Sequence, residues 1–142
     1  MLDLDGFALP IGTAGQLILL TGVIDGLGNG PGDDLLLRYT QRFDLSDLHG
    51  AALLPAPLDP YRTRATAMVG LASMNGEDGI DEWTWAIDRV ATSIEKGHLW
   101  LTLDLAVQGG PTSGSFPWYL HGYAGPDYLI ARISYQVTVV IG

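Results

Sequence analysis

The sequence predicts an all-β protein: an antiparallel β-sandwich of jelly-roll type, with about seven or eight strands joined by long Gly/Pro-rich loops. Three observations predict it. From Tyr128 to Ile141 apolar and polar residues alternate almost without a break. Leu129, Ala131, Ile133, Tyr135, Val137, Val139 and Ile141 share one face, and Arg132, Ser134, Gln136 and Thr138 the other. A side-chain period of two is that of a strand with one face on a core. His98 to Gln108 repeats the pattern, with Leu99, Leu101, Leu103, Leu105 and Val107 on its apolar side. The 19 glycines and 8 prolines fall mostly between the apolar runs, where a β-protein needs turns.

The other elements follow in chain order. Residues 1–14 read as an irregular lead-in containing Pro10 and Gly12. Gln16 to Ile24 is almost wholly apolar, which predicts a strand buried on both faces. A glycine-rich loop, Asp25 to Asp34, leads to a strand in which Leu35, Leu37, Tyr39, Phe43 and Leu45 point inward, with Gln41 as the polar member of that row. Residues 46–62 carry Pro55, Pro57 and Pro60 and read as a surface connection with one helical turn near Ser46 to His49. Thr63 to Met74 is a strand, Asn75 to Glu82 an acidic loop, and Trp83 to Ile94 a strand, with a short helix inside Asp81 to Ile94 as the alternative. Glu95-Lys96-Gly97 makes a tight turn. Gly109 to Pro117 is a loop, Trp118 to Tyr123 a short strand, and Gly125-Pro126-Asp127 turns into the terminal strand. With 142 residues and no internal repeat, heptad or composition break, residues 1–142 read as a single β-sandwich domain.

Composition narrows the function classes. The net charge is −9, from 16 acidic and 7 basic residues. A nucleic-acid ligand is not expected, because binding one needs a cationic surface that displaces counterions. An anionic membrane surface is disfavoured for the same reason. The chain has no cysteine, so disulfides and thiolate metal sites are excluded. Met-Leu-Asp-Leu-Asp is acidic where a secretory signal carries positive charge, and Leu17 to Ile24 is too short to span a bilayer as a helix. The expectation is a protein made in the cytoplasm and kept there, or incorporated there into a virion or other assembly.

The chemistry-bearing residues fall into three groups. In the first, Asn29-Gly-Pro-Gly-Asp-Asp-Leu-Leu-Leu37 resembles one calcium-binding nonapeptide of the RTX β-roll type. Gly30, Gly32 and Asp34 fall on its glycine and aspartate positions, and Asn29 stands where glycine is usual. The resemblance covers nine residues; a β-roll stacks copies that share each ion, so one copy assigns no family. The candidate calcium ligands of the whole glycine loop are Asp25, Asn29, Asp33 and Asp34, and a solvated hairpin loop accounts for the same residues. In the second group, Glu77, Asp78, Asp81 and Glu82 could bind calcium or act as an acid–base pair, and an acidic turn that keeps strand edges apart is the simpler account.

The third group is aromatic. Trp100 lies on the polar face of its strand with His98, Thr102 and Asp104, and Trp118, Tyr119, Tyr123 and Tyr128 bracket the last turn. Aromatics beside carboxylates serve as sugar platforms and equally as subunit anchors. A sandwich buried on both faces would instead place Trp100 in the core. His49, His98 and His121 form no ligand pair at helical or strand spacing. No nucleophile elbow or phosphate-binding loop is present.

These readings predict no catalytic residues and no required cofactor, with calcium as the ion to test. The expected function is that of a non-enzymatic structural or assembly protein, a β-subunit packing with copies of itself as a homo-oligomer or with a larger scaffold. By architectural analogy it compares with capsid-decorating and tail-associated virion proteins. The alternative is a carbohydrate-binding module or lectin, calcium-assisted at Asp25 to Asp34, with a glycan bound on the aromatic platform.

Overall fold

The computed structural model describes residues 4–28, 36–76, 82–110 and 129–142, and their side chains over 4–24, 40–72, 86–106 and 132–142. In it, the two segments with the cleanest alternation are the middles of two sheets. The described residues form seven strands and one short helix: β1 (Leu4–Ile11), β2 (Gly15–Gly28), β3 (Leu36–Asp44), α1 (Leu45–His49), β4 (Thr63–Gly76), β5 (Glu82–Glu95), β6 (His98–Gly110) and β7 (Leu129–Ile141). One sheet has the order β1-β2-β7-β4 and the other β3-β6-β5, with every pairing antiparallel.

The inner rows close on each other as one core. Leu99, Leu101, Leu103 and Leu105 of β6 face Ile133, Tyr135, Val137 and Val139 of β7, joined by Ile18, Leu20 and Ile24 of β2; all are buried. Phe43, Val69, Ile87, Val90 and Ile94 pack around them. Burial of such rows stabilises by roughly 1.5–3 kcal/mol per large side chain. Gln41 takes the inward place its row predicts and leaves Oε1 buried without a partner. On the other flank Thr92 Oγ1 donates to the Ala65 carbonyl at 2.9 Å, tying β5 to β4 across the two sheets.

The connection 45–62 caps one end of the sandwich. Asp44 accepts the Asp47 N–H at 3.1 Å and so caps α1, while Leu45, Leu54 and Leu58 seal the core. Leu58 N–H donates to the Gly97 carbonyl at 2.9 Å. That close approach needs Gly97: its φ is +80°, and a Cβ there would lie 2.5 Å from Pro57 Cβ. Lys96 (φ 52°) and Gly97 together make the two-residue β5–β6 turn, as hairpin twist favours.

Two expectations change. Residues 4–11 are an edge strand rather than an irregular lead-in. Pro10 does not prevent this, because an edge strand tolerates a residue without an N–H. And β2 is buried on its inner face alone: Leu17, Leu19 and Val23 are only partly covered on the outer face. The segment 82–95 is the strand expected there, and the helix alternative falls away. The expected strand Trp118 to Tyr123 lies outside the described residues.

Gly22 shows how tightly the inner face is built. A Cβ on it would sit 2.5 Å from Tyr135 Oη, whereas at Gly70 the nearest atom is Ser134 Oγ at 3.6 Å. Gly22→Ala is therefore expected to destabilise the fold by about 1–3 kcal/mol through overpacking, and Gly70→Ala to change it by less than about 0.5 kcal/mol. Urea unfolding of the two variants beside the parent protein measures both.

Candidate functional site

Strand register assembles a polar constellation on the outer face of the β3-β6-β5 sheet. On β6, His98, Trp100, Thr102 and Asp104 alternate with the buried leucines, so all four point outward and are partly exposed. Antiparallel pairing sets Asp44 opposite Trp100, Arg42 opposite Thr102 and Thr40 opposite Asp104. On the other side it sets Glu95 opposite His98 and Arg89 opposite Asp104. Trp100 is thus a surface residue and not a core residue.

The side chains of this face satisfy one another. The Arg42 guanidinium lies 4.7 Å from the centre of the Trp100 ring and donates to Glu95 Oε1 at 2.6 Å, roofing the indole with an ion pair. Cation–π contacts of this exposed kind contribute about 0.5–1 kcal/mol. Ser93 Oγ adds a hydrogen bond to the same Glu95 oxygen at 2.9 Å. The Arg42 bond, then the Ser93 bond, hold the Glu95 carboxyl below its ordinary range. Thr40 Oγ1 donates to Asp104 Oδ1 at 2.6 Å, and Arg89 Nε lies 2.8 Å from Asp104 Oδ2. Thr40 first, and Arg89 after it, lower the Asp104 carboxyl likewise.

At the α1 end of the same face, His98 Nδ1 lies 2.7 Å from Asp44 Oδ2 and 3.8 Å from Asp47 Oδ1. Asp44, Asp47 and His98 are the set of metal-ligand types that the described residues bring within reach of a single ion. The Asp44 and His98 atoms are already engaged: Asp44 Oδ1 caps α1 and Oδ2 holds His98 Nδ1. Sequence spacing did not reveal this trio, because it arises from β3–β6 register; the visible signal was only an aspartate ahead of a helical turn. Beside it, a hollow of about 280 Å³ is lined by Asp44, Glu95, Lys96, His98 and Trp100.

Trp118, Tyr119, Tyr123, Asn29, Asp33, Asp34, Glu77, Asp78 and Asp81 lie outside the described residues, and Asp25 is placed only as a position on β2. The strand ends that flank those segments share one end of the sheets: Leu129 pairs with Gly28 and Gly76, and Gly110 pairs with Glu82.

The inner face holds one polar pair that the sequence did not signal. Tyr135 Oη and His49 Nε2 are 2.7 Å apart, with the rings edge to face at 87°. Burial pushes the His49 imidazole below its ordinary value of 6.5 and the Tyr135 phenol up to about 12. Neutral His49 and the protonated phenol share one hydrogen bond, and the imidazole tautomer sets which of the two donates.

Comparison with protein-family models, curated proteins and solved structures gives no match.

Two expectations follow from the geometry. Asp44→Ala removes both the helix cap and the partner of His98, and should destabilise the protein by about 0.5–2 kcal/mol; Asp44→Asn keeps a capping oxygen and should recover most of that in the same denaturation assay. For His49, the native state holds a proton less readily than the unfolded chain. Its stabilising contribution is complete above pH 6.5 and declines as pH falls from there toward the folded value. His49→Gln keeps a group that can accept from Tyr135 and does not titrate. Urea midpoints at several pH values should show a smaller acid loss in His49→Gln than in the parent, and equal losses would contradict the assignment.

Proposed function

We propose that this protein is a non-enzymatic assembly subunit whose β-sandwich packs with copies of itself or onto a larger scaffold. The strand order supports a jelly-roll reading of the sandwich. From β2 onward, the first and last strands pair (β2–β7), the second and second-last pair (β3–β6), and β4 and β5 close the roll across the sheets.

The observation that carries the functional reading is the outer face of the β1-β2-β7-β4 sheet. Antiparallel sheets with one solvated face normally present polar residues there. Here Phe7, Leu9 and Ile11 of β1 and Val140 of β7 are 49%, 50%, 43% and 39% exposed. Register sets Leu9 against Leu17 and Phe7 against Leu19, then Leu17 against Val140, so these side chains form a continuous patch. Apolar patches beyond a few hundred Å² on a soluble protein mark interaction surfaces. The outer face of the other sheet, by contrast, already spends its charges and its indole on internal pairs.

The lectin reading retains one observation, the hollow beside Trp100 with Asp44, Glu95 and His98 on its wall. A sugar stacking on that ring would first have to displace Arg42. Light scattering on a sizing column at physiological salt separates the two readings. The assembly reading predicts a defined oligomer and no retention on glycans. A monomer at every concentration, with binding on a glycan array that is lost in Trp100→Ala, would replace it with the lectin reading.

A further inference from the structure

From the relief of that outer face we infer that its occupant is a second copy of this chain, packed face to face about a two-fold axis that lies in the sheet plane and crosses the strands. This rests on the assembly reading and specifies its partner and geometry. Along β2 the face divides into two zones. From Gly15 to Leu19 it is a ridge, with Phe7, Leu9 and Ile11 on one side and Val140 on the other. Around Thr21 it falls into a depression of about 330 Å³, where Gly70 has no side chain and Thr21 and Ser134 carry small ones, beside Met68 and Gln136. A two-fold interface is self-complementary: whatever one copy offers, it must also receive. An axis between the zones seats the ridge of each copy in the depression of the other.

Charge and area favour the same occupant. The protein carries −9 overall, so two copies repel unless they meet where charge is absent. Between Gly15 and Val23, among the described residues, the outer rows hold only Asp5 and Arg64 as charged side chains, one on each edge strand. Arg64 Nη1 is directed to the Thr63 carbonyl at 3.1 Å. Neither charge lies on the two middle strands, where the desolvation penalty would be greatest. Four strands by nine residues measure roughly 19 Å by 30 Å, and the corrugated accessible area of such a face approaches the ~800 Å² per partner of a standard interface. Met68, 68% exposed, stands at the rim of the depression and supplies an adaptable contact.

Sedimentation velocity over a hundredfold concentration range tests the inference on four proteins: the parent, Leu9→Glu in the ridge, Met68→Glu at the depression, and Trp100→Ala on the opposite sheet. Leu9 and Met68 are exposed, so both variants should fold, which far-UV circular dichroism and the melting temperature check. The expected result is a dimer for the parent and for Trp100→Ala. Leu9→Glu and Met68→Glu should be monomers with dissociation constants raised at least tenfold. An oligomer that survives both glutamates but dissociates in Trp100→Ala would overturn the face and leave the assembly reading standing. A parent that stays monomeric throughout would overturn self-association itself.

Discussion

Everything in this structure depends on the contact between the inner rows of β6 and β7. Each has a neighbour on both sides, β3 and β5 in one sheet, β2 and β4 in the other. Their buried residues, Leu99 to Leu105 and Ile133 to Val139, are the floor and ceiling of the core. Because the strand period is two, a slip of one residue in either strand would turn four large apolar side chains to solvent. At roughly 1.5–3 kcal/mol per side chain, that loss exceeds any contribution from the surface ion pairs. The register is therefore set from inside.

With the inner rows fixed, the outer rows have no freedom left, and the two sheets use theirs in opposite ways. On the β3-β6-β5 sheet, the residues forced outward are Thr40, Arg42, Asp44, Arg89, Glu95, His98, Trp100 and Asp104. They meet as partners, so the surface closes on itself with hydrogen bonds of 2.6–2.9 Å. On the β1-β2-β7-β4 sheet the residues forced outward include Phe7, Leu9, Ile11, Leu17, Leu19 and Val140, and among the described residues they meet one another but no covering layer. The same rule of alternation produces a finished face and an unfinished one. The proposed function falls on the unfinished face because exposing that much apolar surface opposes solubility without helping the fold.

Much of this was legible in the sequence, and the exceptions have physical causes. β6 and β7 were readable because each has one buried and one solvated face, which writes a clean alternation. Gln41 was readable as the inward polar residue of its row, and Lys96-Gly97 as a turn. β1 was not, since an edge strand tolerates Pro10 and buries too little to show a pattern. The apolar run of β2 was read as burial on both faces, and among the described residues its outer side is only partly covered. The site was harder. That Trp100 shares a face with His98, Thr102 and Asp104 follows from a period of two, but its covering by Arg42 and Glu95 comes from strands that lie 58 and 5 positions away along the chain. The readable Lys96-Gly97 turn brings Glu95 beside β6, but no local pattern encodes the pairing with Arg42. The approach of His98 to Asp44 and Asp47 is of the same kind.

The most direct test of the central claim, that the outer face of β1-β2-β7-β4 is the surface this protein uses, is hydroxyl-radical footprinting of the parent protein as its concentration is raised. Oxidation of Phe7 and Met68, read by peptide mass spectrometry, should fall as copies associate, while oxidation of Trp100 stays constant. Constant oxidation at Phe7 and Met68 with protection at Trp100 would contradict the account and move the working surface to the opposite sheet.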